Sequence, residues 1–449
     1  KTTFGWHFLT AGASAGEPVL FVTFSESEQQ LRENAQKSGF NLAGVDFLDL
    51  SPSSRFFTHA ESYDIFAADE VEREPTTQHL VDAIDRIKPR RVFIDSMTHL
   101  RYLSADAFQF RKQVLSFLRY LTDHKATVVF SSEMGPEAPD EDLRFLSDGV
   151  IEFALESNNR SVMVIKYRGS DFRGMHHSMR LNGHGIEVFP RLLPETHGKP
   201  FSPDPLHFGI PRLDELMHGG IERGTCSIIS GPSGVGKTTL GLQFMKEAAS
   251  RGERSVVFVF EERIDTLLQR CRNINIPVDE MLERGTLALR QVEALKFTPD
   301  EFANLVRAEI EQHNAGIVMV DSVRGYQLSV RGQDLITHLH ALCKYLQNMG
   351  VTTLLINEVE SILEFTVSEL GISYLADNVL FLRYIEVEIQ HRLELRKAIG
   401  VLKKRLSDFE KDVREFAITS RGVMIGDAIP NLRGILSGVP HASGMASTL

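Results

Sequence analysis

The chain has 449 residues, 42% hydrophobic and 24% charged, with 60 acidic against 49 basic residues and a net charge of −11. That length exceeds one ordinary core and points to two domains of ordinary globular composition. The acidic balance argues against a nucleic-acid partner, and no apolar run reaches the length of a membrane span, so a membrane is not expected either.

Lys1-Thr2-Thr3 opens the chain, and the same tripeptide recurs at Lys237-Thr238-Thr239. The two copies stay in register downstream. Phe21-Val-Thr-Phe24-Ser25-Glu26 lies on Val257-Phe-Val-Phe260-Glu261-Glu262 at a constant offset of 236 residues, without a gap. Later landmarks repeat with small loop differences: Val92-Phe-Ile-Asp95-Ser96 and Val318-Met-Val-Asp321-Ser322, Ser132-Glu133 and Asn357-Glu358, Ser147-Asp148 and Ala376-Asp377. Lys166-Tyr-Arg168 likewise answers Lys403-Lys-Arg405. A period of roughly 230 residues is too long for a solenoid and describes a duplicated domain. The register makes Lys1 the counterpart of Lys237, so a strand and a Gly-rich loop are expected upstream of it.

Within each repeat, short β-branched runs (Val19–Phe24, Val92–Ile94, Thr127–Ser131) alternate with helical patterns such as Phe108 to Leu121. Such alternation implies α/β domains, each a mainly parallel twisted sheet flanked by helices, with ligands at the C-terminal ends of the strands. The first domain is expected over 1–195 and a linker over 196–206, within the proline-rich stretch Pro190–Pro205. The second domain is expected over 207–434, followed by a loose Gly, Ser and Ala tail over 435–449. The three cysteines, Cys226, Cys271 and Cys343, lack CxxC spacing and read as reduced core residues; no signal-peptide pattern is read at Lys1, and a cytoplasmic location is expected.

The most specific stretch is Gly231-Pro232-Ser233-Gly234-Val235-Gly236-Lys237-Thr238, which fits G-x-x-x-x-G-K-[ST], the P-loop. The apolar run Cys226 to Ile229 leads into it as a strand, and Thr239 to Ala249 comes after it as a helix. Such a loop turns backbone N–H groups around a phosphate at a helix N-terminus. Its lysine reaches the β- and γ-phosphates of ATP, and its hydroxyl holds Mg²⁺. In the first repeat Lys1, Thr2 and Thr3 take these places.

Asp321, closing the apolar run Ile317 to Val320, is the expected Mg²⁺-shell carboxylate, and Asp95 is its copy. Glu261 and Glu262 end the strand after the P-loop helix, where a carboxylate can orient or deprotonate the water that attacks the γ-phosphate. The first repeat has Ser25-Glu26 there and so lacks one carboxylate. Glu133 and Glu358 close another strand in each repeat and are candidate γ-phosphate sensors. Lys403 and Arg405, with copies Lys166 and Arg168, put two cations on one strand face, able to grip a triphosphate or simply to charge an edge strand. Spacing does not place them against their own P-loop.

With these residues the chain resembles the KaiC family of RecA-like ATPases over nearly its whole length. The marks are Phe208-Gly-Ile-Pro211-Arg-Leu-Asp214, Gly219-Gly220-Ile-Glu-Arg-Gly224, the P-loop, Phe260-Glu261-Glu262, Asp321-Ser322, Arg414-Glu415-Phe416 and Ile435-Leu-Ser-Gly-Val-Pro440. The resemblance implies tandem ATPase domains in two stacked rings, usually a homo-hexamer. ATP would lie between subunits, with the Lys-x-Arg of one reaching the neighbour's nucleotide. It also implies hydrolysis supported by Glu262 and Glu26, serine/threonine autophosphorylation in the second domain, and protein partners in signalling or timing. Ser373, in Gly371-Ile-Ser373-Tyr374, aligns with the family's Ser-Thr phosphoacceptor pair and is the candidate acceptor; Tyr374 replaces the threonine, and the first repeat has Arg144-Phe145 there. Two departures stand out: Leu406 occupies a position often Gly in the family, and Ser25 replaces a family Glu. The leading expectation is an ATPase that switches ring conformation. The alternatives are a non-enzymatic hexameric scaffold stabilised by ATP and a RecA-like DNA-dependent ATPase.

Overall fold

The computed structural model describes residues 1–51, 73–102, 107–133, 141–156, 159–330, 335–359, 372–389, 392–435 and 440–443. It forms two compact units, Lys1–Phe189 and Pro190–Leu449.

The second unit is built on one ten-stranded sheet. Its parallel half runs Leu287–Gln291, Ser255–Val259, Ile317–Asp321, Thr352–Glu358 and Cys226–Gly231, with Asn378–Ile389 continuing parallel beside Cys226–Gly231. Arg392–Lys404, Arg414–Thr419 and Gly422–Ala428 then extend it antiparallel. Ser255–Val259 is buried along its full length because helices cover both faces, which is why it reads as unbroken apolar sequence. Alternate residues still serve different cores: Val257 and Val259 pack with Phe208, Phe244 and Leu267, whereas Val256 and Phe258 pack with Phe302, Tyr326 and Leu342.

The helix Lys237–Ser250 lies close on this sheet. A Cβ at Gly241 would come within 2.3 Å of Met319 Sδ, so only glycine permits that approach. Helix Pro299–Glu311 starts at a reciprocal capping box, Thr298 with Glu301, and has proline in its first turn. The stretch expected to act as a linker is fastened to the second unit. Leu192 is in its core, Asn348 Nδ2 donates to Pro194 O, and Lys199 N donates to Asn348 O. The expectation of a loose tail from residue 435 needs one correction. His441–Ser443 forms a strand parallel to Glu386–Glu388, and Ala442 is buried against Ile385 and Val387; the unmet backbone groups along that edge of the long hairpin outweigh the tail's low-propensity composition. Residues 436–439 and 444–449 lie outside the described residues.

The first unit repeats this plan in two separate sheets. Asp46–Asp49, Val19–Thr23, Arg91–Asp95 and Thr127–Phe130 form a parallel sheet, and Gly149–Glu156, Asn159–Tyr167, His177–Asn182 and Gly185–Phe189 an antiparallel one. In the second unit the strand Cys226–Gly231 joins the two halves; among the described residues of the first unit none takes that place.

Candidate active site

The P-loop sits where the strand Cys226–Gly231 ends and the helix Lys237–Ser250 begins. Its glycines meet two different demands. Gly236 has φ +119°, a left-handed conformation, and a Cβ there would lie 2.6 Å from Ile418 and 2.9 Å from Phe416. Gly231 lies under the carbonyl of Leu382, 2.4 Å from the place a Cβ would take. The family mark Arg414-Glu415-Phe416 thus serves the loop: Phe416 walls it from behind. Two groups from the hairpin brace it further. Lys397 Nζ donates to Gly234 O at 3.1 Å, and Tyr384 Oη donates to Ser233 O at 3.4 Å.

Lys237 is buried, and its ammonium donates to Pro232 O at 2.8 Å, across the loop's own mouth. Burial pushes its amine pKa down, against the opposing pull of Glu358, Asp321 and Glu261 in that order. Glu358 owes its place to register, since it pairs directly with Gly231. Thr238 hydrogen-bonds the Asp321 carboxylate, which burial pushes up to about 6 despite that bond and the nearby Arg270. The first unit repeats the pair: Thr2 Oγ1 donates to Asp95 Oδ2 at 2.6 Å, and Ser131 Oγ donates to Asp95 Oδ1 at 2.5 Å. Lys1 Nζ donates to Ser132 O at 2.6 Å, and Thr98 Oγ1 accepts from Glu133 N. Thr3, like Thr239, lies one residue further along its helix.

The hydroxyl–carboxylate pair fits Mg²⁺. Both ligands are hard oxygen donors, and a divalent ion would supply the cationic charge that a desolvated carboxylate such as Asp321 favours. No group of three or more His, Cys, Asp or Glu side chains that could hold a metal occurs among the described residues. A one-carboxylate, one-hydroxyl site suits an ion completed by phosphate oxygens and water.

Glu261 and Glu262 lie just past the strand end and diverge. Glu261 Oε2 accepts from Ser322 Oγ at 3.3 Å, whereas Glu262 pairs with Arg270 Nη2 at 2.9 Å. Gln291 Nε2 donates to both Val259 O and Glu262 O, fixing the backbone at the turn. In the first unit Glu26 Oε2 accepts from Asn34 Nδ2 at 3.2 Å. Arg270, Asn34, Gln291, Tyr384 and Lys397 were not singled out from sequence. Arg270 and Asn34 could have been, since the ungapped 236-residue register already pairs them.

The structure resolves where Lys403 and Arg405 stand. Lys404 pairs with Asn378, which pairs with Ser227 at the start of the P-loop strand. At 3.3 Å per residue that is about 15 Å from the loop at the other end. Lys403 Nζ donates to Ser373 O and Ala376 O, and Arg405 Nη1 to Asp377 Oδ1 at 3.0 Å. Lys166 Nζ in turn donates to Arg144 O and Phe145 O, and Arg168 Nη1 to Asp148 Oδ1 at 3.0 Å. Both pairs therefore grip the segment that precedes their hairpin, and in the second unit that segment is remote from the nucleotide loop. Ser373 lies half-buried in the short 3₁₀ turn Ile372–Tyr374; Gly371 before it is outside the described residues.

A family model described as "ATPase: KaiC" matches residues 1–192 and 206–429. The circadian clock oscillator protein KaiC of Parasynechococcus marenigrum is 28% identical over 461 residues, covering 98% of this chain and 87% of that protein. Its namesake from Synechococcus elongatus is 27% identical over 460 residues, covering 98% and 85%. The circadian clock protein KaiC3 of Synechocystis sp. is 26% identical over 460 residues, covering 98% and 88%. With a P-loop, its paired hydroxyl and acid, and the repeated Lys-x-Arg grip in one duplicated α/β frame, this chain belongs to the KaiC family of ATPases.

Proposed function

We propose that the protein binds Mg²⁺-ATP at its P-loops, hydrolyses it, and uses the nucleotide state to switch the conformation of a homo-oligomeric ring that protein partners read in signalling or timing. The observation that carries this reading is the repeated hydroxyl–carboxylate pair, Thr238 with Asp321 and Thr2 with Asp95, beside the P-loop lysine. In the second unit Lys237, Thr238 and Asp321 hold the triphosphate and its ion; Mg²⁺, when bound, would neutralise the charge developing on the transferring phosphoryl group. Glu261 and Glu262 orient water at the γ-phosphate, and Glu26 alone does so in the first unit.

The ring is supported by the position of the cation pairs. Lys403 and Arg405 stand about 15 Å from their own P-loop by strand spacing, so a nucleotide they touch belongs to a neighbouring copy. A hexamer is the ring number that the resemblance of the sequence motifs to the KaiC family implies. Ser373 is the proposed autophosphorylation site, since the Lys403 grip holds its carbonyl and fixes the turn that presents its hydroxyl. Three free, buried cysteines support a reducing, cytoplasmic location. No helix among the described residues is long and apolar enough to cross a membrane.

A second reading, a ring that ATP holds together without hydrolysis, is favoured in the first unit by Ser25, which leaves one carboxylate where the second unit has two. Phosphate release by the purified protein, with and without single-stranded DNA, tests both. Release that DNA leaves unchanged and that Lys237→Ala reduces supports the ATPase; none at all supports the scaffold, and release only with DNA supports a RecA-like motor.

A further inference from the structure

The two sites differ in a correlated way. Where the second unit has Glu261-Glu262, the first has Ser25-Glu26. Where the second has Arg270 against Glu262, the first, at the same 236-residue offset, has Asn34 against Glu26. The contacts are alike in kind: a side-chain nitrogen from the next helix meets the shared glutamate, at 2.9 Å in one unit and 3.2 Å in the other. The helix is Ile264–Asn273 in the second unit and Glu28–Lys37 in the first.

Counting formal charge, Glu261, Glu262 and Arg270 sum to −1, and Ser25, Glu26 and Asn34 also sum to −1. Relative to the first unit, the second carries one more acid and one more cation. The Arg270 side chain is 40% exposed and that of Glu262 26%, but the Arg270 Nε and Nη2 atoms themselves are shielded from solvent, with Nη2 2.9 Å from the Glu262 carboxylate. The field of Arg270 also reaches Asp321, where it opposes that of Glu262. The neighbouring cation Arg263 is unsuited to this task, being exposed and paired with Asp265.

We propose that Arg270 is a positioning residue of the second site: it holds the Glu262 carboxylate and offsets the extra acidic charge that Glu261 brings beside the P-loop. The proposal rests on the reading of that loop as a nucleotide site. Without Arg270 two uncompensated carboxylates would face an anionic ligand and repel it. With Asn34 the first unit needs no cation, because Ser25 adds no charge. Arg270 is thus required only while Glu261 is present, and that conditional dependence separates charge compensation from a merely structural role.

The test is calorimetric binding of Mg²⁺-ADP, which involves no hydrolysis, to the full chain carrying Lys1→Ala and Thr2→Ala so that the second site reports alone. Arg270→Asn should weaken binding on the order of tenfold, from loss of a nearby opposite charge in a partly desolvated site. Glu261→Ser combined with Arg270→Asn, which installs the first unit's arrangement, should return affinity to within about twofold of the parent. Arg270→Lys, which keeps the charge, should stay near the parent and shows that loss of fold is not the cause. Parent-like binding by Arg270→Asn, or a double variant as weak as Arg270→Asn alone, overturns the proposal and leaves the nucleotide site standing. No binding of Mg²⁺-ADP by the parent overturns the nucleotide reading and this proposal with it.

Discussion

Replacing Gly236 by alanine probes the physical basis of the P-loop, because two separate costs meet at that residue. Its φ of +119° is one that an L-residue adopts only with strain, and its missing Cβ would sit 2.6 Å from Ile418 Cδ1 and 2.9 Å from Phe416 Cε1. The backbone term alone is about 1 kcal/mol. Forcing a methyl against a packed wall adds about 2 kcal/mol, within the range for overpacking. Gly252 separates the two: its φ is +77°, but nothing lies within 4 Å of the place a Cβ would take. Gly252→Ala should therefore lower the melting temperature by roughly 2–4 °C, and Gly236→Ala by roughly 6–12 °C, for a unit of this size. Differential scanning calorimetry without nucleotide measures both. Relief of the clash by moving the loop displaces the N–H groups that cradle phosphate, so Gly236→Ala should also lose Mg²⁺-ATP affinity while Gly252→Ala keeps it. Equal melting shifts in the two variants, with nucleotide affinity intact in both, would refute the reasoning.

Three further outcomes are expected. The Asp321 carboxyl is raised from 3.8 to about 6 in the folded state, so its proton stabilises the fold fully below about pH 3.8 and that stability is lost as pH rises through about 6. On the order of 2–3 kcal/mol is at stake. Asp321→Asn should thus gain melting temperature relative to the parent between pH 4 and 7 without Mg²⁺ or nucleotide; parallel curves would count against the buried-carboxylate account. Subunits carrying Arg405→Ala, mixed with subunits carrying Lys237→Ala, should regain hydrolysis, since some interfaces unite an intact loop with an intact finger; such a finger is worth on the order of a thousandfold. No recovery in rings whose mixed assembly is verified would exclude action in trans. Mass spectrometry after incubation with Mg²⁺-ATP should find phosphate at Ser373 and not at Tyr374, whose hydroxyl stands several ångströms further from the backbone; phosphate undiminished in Lys237→Ala would contradict autophosphorylation.

Local sequence determined the duplication, the α/β class and the P-loop itself. These rest on short-range chemistry: buried parallel strands demand unbroken apolar runs, as in Ile317–Asp321, and a phosphate cradle demands glycines at set spacing. The Thr–Asp pairs were legible because both members belong to motifs, even though Thr2 and Asp95 are 93 residues apart. Tertiary structure alone decided what depends on strand order and register. Lys403 and Arg405 are late in the chain, and only the antiparallel return of their strand puts them at the far end of the sheet from Gly231. Phe416 and Ile418 reach Gly236 from much later in the chain, with no local signal of that contact. The tail strand His441–Ser443 was hidden for the same reason: its partner, Glu386–Glu388, offers an open edge that composition does not reveal. Arg270 lies between the two cases, since the repeat pairs it with Asn34, but only its contact with Glu262 gives that pairing a meaning. The physical reason is general. Motif chemistry is written in neighbouring residues, whereas the charge and steric surroundings of a site are assembled by chain segments that meet only in the fold.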